Sequence, residues 1–167
     1  MESAAAQIAQ RLVTLKVLII DDEPAMRRVT RSLLLAIGVS NVHEAVDGKT
    51  GLEAIRTLGP DLVILDWEMP SPNGPQFVRA VRSPDSFPLP SVPIIMLTGH
   101  GERSRVMEAV KAGVNDFLLK PVSTKALLAR LVSVIVEPRR MVKIGEYYCP
   151  EPRDLAAYKA DFEIAWV

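Results

Sequence analysis

The sequence has very little cysteine, with Cys149 as the single example among 167 residues. One thiol excludes an internal disulfide framework and a metal cage built from several thiolates, and it is compatible with a reducing cytoplasm. Net charge is also absent, because lysine plus arginine and aspartate plus glutamate each number 20. This balance gives no electrostatic reason to expect nucleic acid or an anionic membrane as a partner.

Long hydrophobic runs are missing as well. No segment approaches the ~18 consecutive apolar residues of a membrane span. The first 15 residues lack the basic start and the apolar run of a secretory signal. No internal repeat or low-complexity tract occurs, and the length corresponds to one domain with room for appendages. We therefore expect a cytoplasmic protein with no membrane partner.

What the sequence does contain is a regular alternation of short apolar runs and helical patterns. The runs, rich in Val, Ile and Leu, are typical of buried parallel strands, and one weaker segment predicts an edge strand. The five predicted strands cover residues 17–20, 41–45, 61–66, 92–98 and 116–120, and the five predicted helices cover residues 24–37, 51–58, 75–81, 103–112 and 124–136. Such alternation predicts right-handed crossovers and a three-layer α/β sandwich, with helices on both faces of a parallel sheet.

Charged and polar residues follow these predicted strands. Asp21 and Asp22 come after the first, Asp66 closes the third, Thr98 ends the fourth and Lys120 ends the fifth. In open α/β sheets, ligands bind outside the carboxyl ends of the strands. Two carboxylates at ~4 Å oppose each other by roughly 4 kcal/mol at an effective dielectric of about 20. The three acids therefore predict a site for a hard, oxygen-seeking cation such as Mg²⁺.

These stretches closely resemble the receiver domain of two-component response regulators, the CheY-like family. The matching pieces are LIIDDEP with the acidic pair, VILDWEMP with Asp66 and the later Gly74, IIMLTG with Thr98, and NDFLLKP with Phe117 and Lys120. Each piece alone is a weak signal, but all of them in order at strand ends are highly specific. The resemblance implies a flavodoxin-like sheet of order 2-1-3-4-5 flanked by five helices.

The resemblance also divides the chain. It implies an N-terminal extension at residues 1–14, a receiver domain at 15–137 and a C-terminal extension at 138–167. The last segment is too short for a helix-turn-helix effector and lacks a basic recognition helix, so no DNA-binding domain is expected. Near its end, four apolar side chains at helical spacing predict a short amphipathic helix, which either folds back on its own domain or contacts another chain: Leu155, Tyr158, Phe162 and Trp166.

For the acidic site, the resemblance implies a specific role for each residue. Asp66 is the phosphoacceptor, and it takes a phosphoryl group from a phosphohistidine on a histidine kinase or a histidine phosphotransfer protein. Asp22 and Asp66 coordinate Mg²⁺ directly, Asp21 does so through water, and the backbone carbonyl of Glu68 completes the protein ligands. Lys120 neutralises charge on the phosphoryl oxygens.

A switch and a set of tuning residues are implied in the same way. The Thr98 hydroxyl binds the phosphoryl group, Phe117 turns inward, and the altered surface signals to an unknown downstream protein, with the chain a monomer or a phosphorylation-dependent dimer. Glu68 and His100 border the path of the attacking water and are candidates for tuning the phosphate lifetime. The peptide bond before Pro121 is expected to be cis.

Two other functions compete with this interpretation. A haloacid-dehalogenase-like phosphatase also uses an aspartyl nucleophile and Mg²⁺, but its motif needs a second aspartate two residues later, where this chain has Glu68. A pseudo-receiver would bind partners without phosphorylation, and the complete residue set argues against it. We therefore expect a phosphorylated signalling switch, which catalyses only its own phosphorylation and dephosphorylation, rather than an enzyme.

Overall fold

A computed structural model describes residues 2–84, 87–144 and 147–151 of the chain. Strands and helices alternate along it as the apolar runs predict. In chain order the elements are α1 (Ala4–Thr14), β1 (Lys16–Ile20), α2 (Pro24–Ile37), β2 (Asn41–Ala45), α3 (Gly48–Leu58), β3 (Leu62–Asp66), α4 (Gly74–Val81), β4 (Ile94–Thr98), α5 (Arg103–Ala112), β5 (Asp116–Leu119), α6 (Thr124–Val136), β6 (Met141–Ile144) and β7 (Tyr147–Pro150). None of the helices in these ranges is long and apolar enough to cross a membrane.

The first five strands form one parallel sheet in the order β2-β1-β3-β4-β5. The predicted fold class and strand order are therefore confirmed. The register places Asp66 of β3 opposite Leu97 of β4, and Thr98 of β4 opposite Leu119 of β5. Because all five strands run in the same direction, their carboxyl ends share one edge of the sheet, which we call the carboxyl edge.

Two apolar cores, one on each face, hold the sheet in place. Alternate residues of the strands point to opposite faces, so Leu18 and Ile20 belong to a core with α3, α4 and α5, whereas Val17 and Ile19 belong to a core with α1, α2 and α6. Strand β3 is buried along its whole length. This burial on both faces explains why the central strands read as continuous apolar runs rather than as alternating ones.

Two helices begin earlier than the sequence pattern predicts. Helix α3 starts at Gly48 rather than at residue 51, because Asp47 and Thr50 form a capping box. The Asp47 carboxylate accepts a hydrogen bond of 2.7 Å from the Thr50 amide, and the Thr50 hydroxyl oxygen accepts one of 3.3 Å from the Asp47 amide. Helix α4 starts one residue early, because Asn73 caps it in the same way. The apolar periodicity marks where a helix contacts the core, whereas these polar caps set where it begins.

Both predicted extensions contain regular structure. Residues 4–14 form α1, a sixth helix beyond the five predicted, which Ser3 caps and which buries Leu12. Strands β6 and β7, which the sequence analysis did not predict, pair antiparallel. The predicted amphipathic helix near the C-terminus lies outside the described residues.

The C-terminal strand pair meets the domain at a buried arginine. The Arg82 side chain has no exposed surface and donates to four acceptors, which are the carbonyls of Pro90, Val92 and Gly113 and the Asn115 side chain, at 2.6–2.9 Å. Burial lowers the pKa of Arg82 to about 10, so the group stays charged at neutral pH. The Arg82 carbonyl in turn accepts the Tyr148 amide of β7 at 2.9 Å.

We predict that Arg82→Ala lowers the free energy of unfolding by about 3–5 kcal/mol, because four buried acceptors lose their donor and a cavity opens. Urea unfolding followed by circular dichroism measures this loss. The control is Arg79→Ala, which removes an exposed arginine from α4, the helix that Arg82 follows, and should cost less than about 0.5 kcal/mol. Equal losses for the two variants would contradict the proposed importance of the Arg82 network.

Candidate functional site

Three carboxylates converge at the carboxyl edge of the sheet. Asp21, Asp22 and Asp66 each offer an oxygen atom, and these atoms lie within 4.8 Å of one another. Asp21 and Asp66 are each 2% exposed, whereas Asp22 faces solvent. The structure thus brings together the acids of two stretches that are more than 40 residues apart in the sequence.

Lys120 provides the positive charge at this cluster. Its ammonium nitrogen lies 2.8 Å from Asp66 Oδ1 and 4.0 Å from Asp21 Oδ2. The Lys120 amide donates to the Thr98 carbonyl at 2.8 Å, and the following bond to Pro121 is cis, as predicted. Burial on its own lowers the pKa of Lys120, but the hydrogen bond and charge of Asp66 and the charge of Asp21 outweigh burial and raise it.

Asp21 is the acid with the least favourable surroundings. Burial raises the pKa of Asp21 from 3.8 to about 6. The hydrogen bond from the Glu23 amide lowers this pKa, the negative charge of Asp66 raises it further, and the positive charge of Lys120 lowers it. Asp21 Oδ1 accepts the Glu23 amide at 2.9 Å, but Oδ2 is buried without a hydrogen-bond partner. A buried carboxylate oxygen in this state is costly unless a cation or a bound water satisfies it.

The donor set fits Mg²⁺. Three carboxylates in mutual reach, one of them with a buried free oxygen, supply the hard oxygen ligands that this ion prefers. The exposure of Asp22 leaves room for the waters that Mg²⁺ retains and for a phosphate oxygen.

Thr98 ends β4, the strand beside the one that carries Asp66, and its hydroxyl already has a hydrogen-bond partner. Its buried hydroxyl donates to Glu68 Oε1, and the Gly99 amide donates to Glu68 Oε2 at 3.4 Å. The Glu68 amide approaches Asp66 Oδ1 at 3.4 Å. Glu68 thus spans the loops that follow β3 and β4, a link that sequence reasoning did not anticipate because nothing in the motif shows where an exposed glutamate points.

The aromatic residues near the site pack against the core. Trp67 is 6% exposed and lies against Gly74, where a Cβ atom would come within 2.4 Å of the indole ring. Phe117 on β5 is half-buried against the core that contains α5. His100 is exposed, and its amide donates to the Thr98 hydroxyl oxygen at 3.0 Å.

Sequence reasoning also overlooked an arginine beside the acids. Arg27, in the first turn of α2, donates from Nη1 to the backbone carbonyl of Asp21 at 2.8 Å. The available signal was a cation one helical turn after the acidic loop, at a spacing that returns it towards the start of the helix. That signal is weak, because an arginine in the same turn, Arg28, points to solvent.

Comparison with known proteins agrees with this geometry. Residues 17–132 match the family model described as the response regulator receiver domain. The chemotaxis protein CheY of Pseudomonas aeruginosa is 35% identical over 120 residues, which span 72% of this chain and 95% of that protein. The chemotaxis protein CheY1 of Helicobacter pylori is 36% identical over 122 residues, which span 72% of this chain and 97% of that protein.

Solved structures show the same likeness. The chemotaxis protein CheY4 of Vibrio cholerae superposes with a TM-score of 0.65 at 31% identity, covering 72% of this chain and 98% of that one. A receiver domain of a Francisella response regulator gives 0.67 at 26% identity, covering 75% and 100%. Sequence, sheet order and the arrangement of the carboxyl edge therefore agree: the chain belongs to the response regulator receiver domain family of two-component signalling.

Proposed function

We propose that the chain is a phosphoacceptor switch in which Asp66 takes a phosphoryl group from a phosphohistidine on a histidine kinase or a histidine phosphotransfer protein. The observation that carries this proposal is the buried Asp66 carboxylate, held 2.8 Å from the Lys120 ammonium beside two further acids. A receiver unit at residues 15–137 is the part that transfers and reads the phosphate. The extensions on either side belong to the output or to stability.

The acids would hold one Mg²⁺ ion, with Asp22 and Asp66 as direct ligands, Asp21 bound through water and the Glu68 backbone carbonyl as a further ligand. When bound, this ion supplies positive charge that offsets the negative oxygens of the transferring phosphoryl group. The unpartnered Oδ2 of Asp21 and the exposure of Asp22 support this division of roles.

In the transfer step, an Asp66 oxygen attacks phosphorus in line, the new oxygen–phosphorus bond forms, and the nitrogen–phosphorus bond to the donor histidine breaks. Lys120 places its ammonium beside the attacking carboxylate and neutralises charge on the phosphoryl oxygens. Nearly all of the protein's contribution is positioning and electrostatics, which suits a switch that acts on itself rather than an enzyme with a separate substrate.

Readout would begin at Thr98. In the present state its hydroxyl bonds to Glu68, so binding to a phosphoryl group on Asp66 requires that this bond be released. The loop after β4 then moves towards the phosphate, and Phe117 turns from its half-buried position into the space that the loop vacates. A changed surface around α5 and β5 would signal to a downstream protein.

Glu68 and His100 are the proposed tuning residues. The Glu68 carboxylate accepts hydrogen bonds from the Thr98 hydroxyl and the Gly99 amide, which are the donors that a phosphoryl group would use. His100 follows on the same loop and is exposed, so its ring is free to border the path of an attacking water.

We predict that Asp66→Asn abolishes phosphate incorporation, because the amide is not nucleophilic. Protein incubated with Mg²⁺ and acetyl phosphate is assayed for acid-labile phosphate. The control, Glu53→Gln, removes an exposed carboxylate from α3 and should label like the original protein. Full labelling of Asp66→Asn would show that another residue is the nucleophile, and steady turnover of many phosphate esters would favour a phosphatase.

We predict that Asp21→Asn stabilises the metal-free protein by about 2 kcal/mol at pH 7.5. Its folded-state pKa of about 6 lies above the unfolded value of 3.8, so the stability that this group contributes is present below pH 4 and is lost as the pH rises through 6. The gain from Asp21→Asn should therefore grow between pH 4 and 6 and level off above 6.

Urea unfolding in the presence of a chelator at pH 4.5 and 7.5 tests this, with Asp22→Asn as the control for an exposed acid at the same edge. The Asp21→Asn variant should also gain less stability from added Mg²⁺ than the original protein does. A loss of metal-free stability at pH 7.5 would contradict the prediction.

We predict that Glu68→Gln speeds labelling of Asp66 by small phosphodonors about threefold to tenfold, because the charged hydrogen bond that holds Thr98 becomes a weaker neutral one. Initial rates with acetyl phosphate at fixed Mg²⁺ measure the effect. Glu102→Gln removes the same charge from the start of α5 without touching Thr98 and should leave the rate near its original value. An equal acceleration in both variants would mean that general charge repulsion is responsible.

A further inference from the structure

Arg27 joins the acidic loop to two elements of the fold. The residue lies in the first turn of α2, and its side chain is only 14% exposed. Nη1 donates to the Asp21 carbonyl at 2.8 Å, and Nε lies 3.3 Å from Oε1 of Glu44 on β2. The guanidinium therefore bridges the edge strand of the sheet and the loop that carries two of the three acids.

Glu44 is itself held in place from a second side. Its other oxygen, Oε2, accepts a hydrogen bond of 2.9 Å from Nε of Arg31, one turn further along α2. Arg31 also donates to the Val42 carbonyl at 3.2 Å. With both carboxylate oxygens engaged, Glu44 is a fixed support that sets the direction of the Arg27 guanidinium.

The carbonyl that Arg27 binds belongs to the peptide unit between Asp21 and Asp22. The Asp21 amide donates to the Ala45 carbonyl at 3.2 Å, and its side chain accepts the Glu23 amide. The Asp21 carbonyl is the remaining main-chain group, and its orientation sets the plane from which Asp22 projects. Asp22 is exposed, so this plane is the main restraint on its direction.

We propose that Arg27, supported by Glu44, is a positioning residue that orients the Asp21–Asp22 peptide so that both carboxylates face Asp66 before a metal ion binds. The inference rests on the proposed function and deepens it. Groups that orient metal ligands from outside the coordination shell commonly change metal affinity by 10–100-fold when they are replaced.

The sign of the effect separates positioning from simple electrostatics. A guanidinium near the site repels Mg²⁺, so if its charge were all that mattered, removal would tighten metal binding. If Arg27 positions the acids, its removal weakens metal binding despite the lost repulsion. A residue that only stabilised the fold would change the melting temperature and leave Mg²⁺ affinity in the folded protein unaltered.

The test is Mg²⁺ titration of the full chain, followed through Trp67 fluorescence at a temperature where each variant is folded. Arg27→Gln should weaken Mg²⁺ binding about 10-fold, and Arg27→Lys, which restores a donor, should recover part of the loss. Arg27→Lys keeps the positive charge, so it also serves as the second variant if Arg27→Gln does not fold, because any loss it shows comes from donor geometry alone. Glu44→Gln, which keeps Arg27 but loosens its support, should weaken binding about threefold. The matched control, Arg28→Gln in the same turn, removes an exposed arginine and should stay within about twofold of the original affinity. Arg31→Gln, which frees the other oxygen of Glu44, should weaken binding about as much as Glu44→Gln does.

Unchanged or tighter Mg²⁺ binding by Arg27→Gln, or the same change in Arg27→Gln and Arg28→Gln, would overturn the inference. Its failure is distinguishable from failure of the proposed function. If the original protein binds Mg²⁺ and labels on Asp66 while Arg27→Gln binds Mg²⁺ normally, only the role of Arg27 is wrong. If the original protein takes no phosphate from a phosphodonor in Mg²⁺, the proposed function itself fails.

Discussion

Mutual repulsion among three carboxylates at one edge of the sheet is the constraint on which the rest of the structure depends. The fold holds Asp21 and Asp66 almost fully buried beside each other, where burial and then the charge of Asp66 raise the pKa of Asp21. Local bonding does not balance this cost, because Lys120 reaches Asp66 closely but lies 4.0 Å from Asp21. The two apolar cores that clamp the strands therefore supply the stability that keeps the acids together.

The two ends of the sheet differ in how many of their buried polar groups have hydrogen-bond partners. At the carboxyl edge one carboxylate oxygen of Asp21 has no hydrogen-bond partner, and the buried Thr98 at the end of β4 is bonded to the exposed Glu68 of the loop after β3. At the other end the Arg82 guanidinium meets four acceptors and is fully buried. A buried polar group without a hydrogen-bond partner favours binding of an ion or ligand that supplies one, whereas a fully hydrogen-bonded group makes its surroundings rigid. The carboxyl edge therefore carries groups that can accept a new partner.

The sequence predicts the sheet, the five central helices and the position of the acids, because each depends on a local or periodic signal. Apolar runs of four to five residues mark β1, β3 and β4, and the strand ends then locate Asp21, Asp66 and Thr98. Other features lack such a signal. Strands β6 and β7 are only four residues long and contain no strong apolar alternation. An arginine such as Arg82 reads in sequence as a surface residue, and its burial depends on acceptors from two other segments, residues 90–92 and 113–115.

The bond between Arg82 and Tyr148 couples the C-terminal strand pair to the rest of the domain. The Tyr148 amide on β7 donates a hydrogen bond to the Arg82 carbonyl at the end of α4, so β7 is held against the receiver domain. The β6–β7 pair is therefore held to the domain at the residue whose guanidinium also binds the loops before β4 and β5, so a displacement of Arg82 would reach all three parts together.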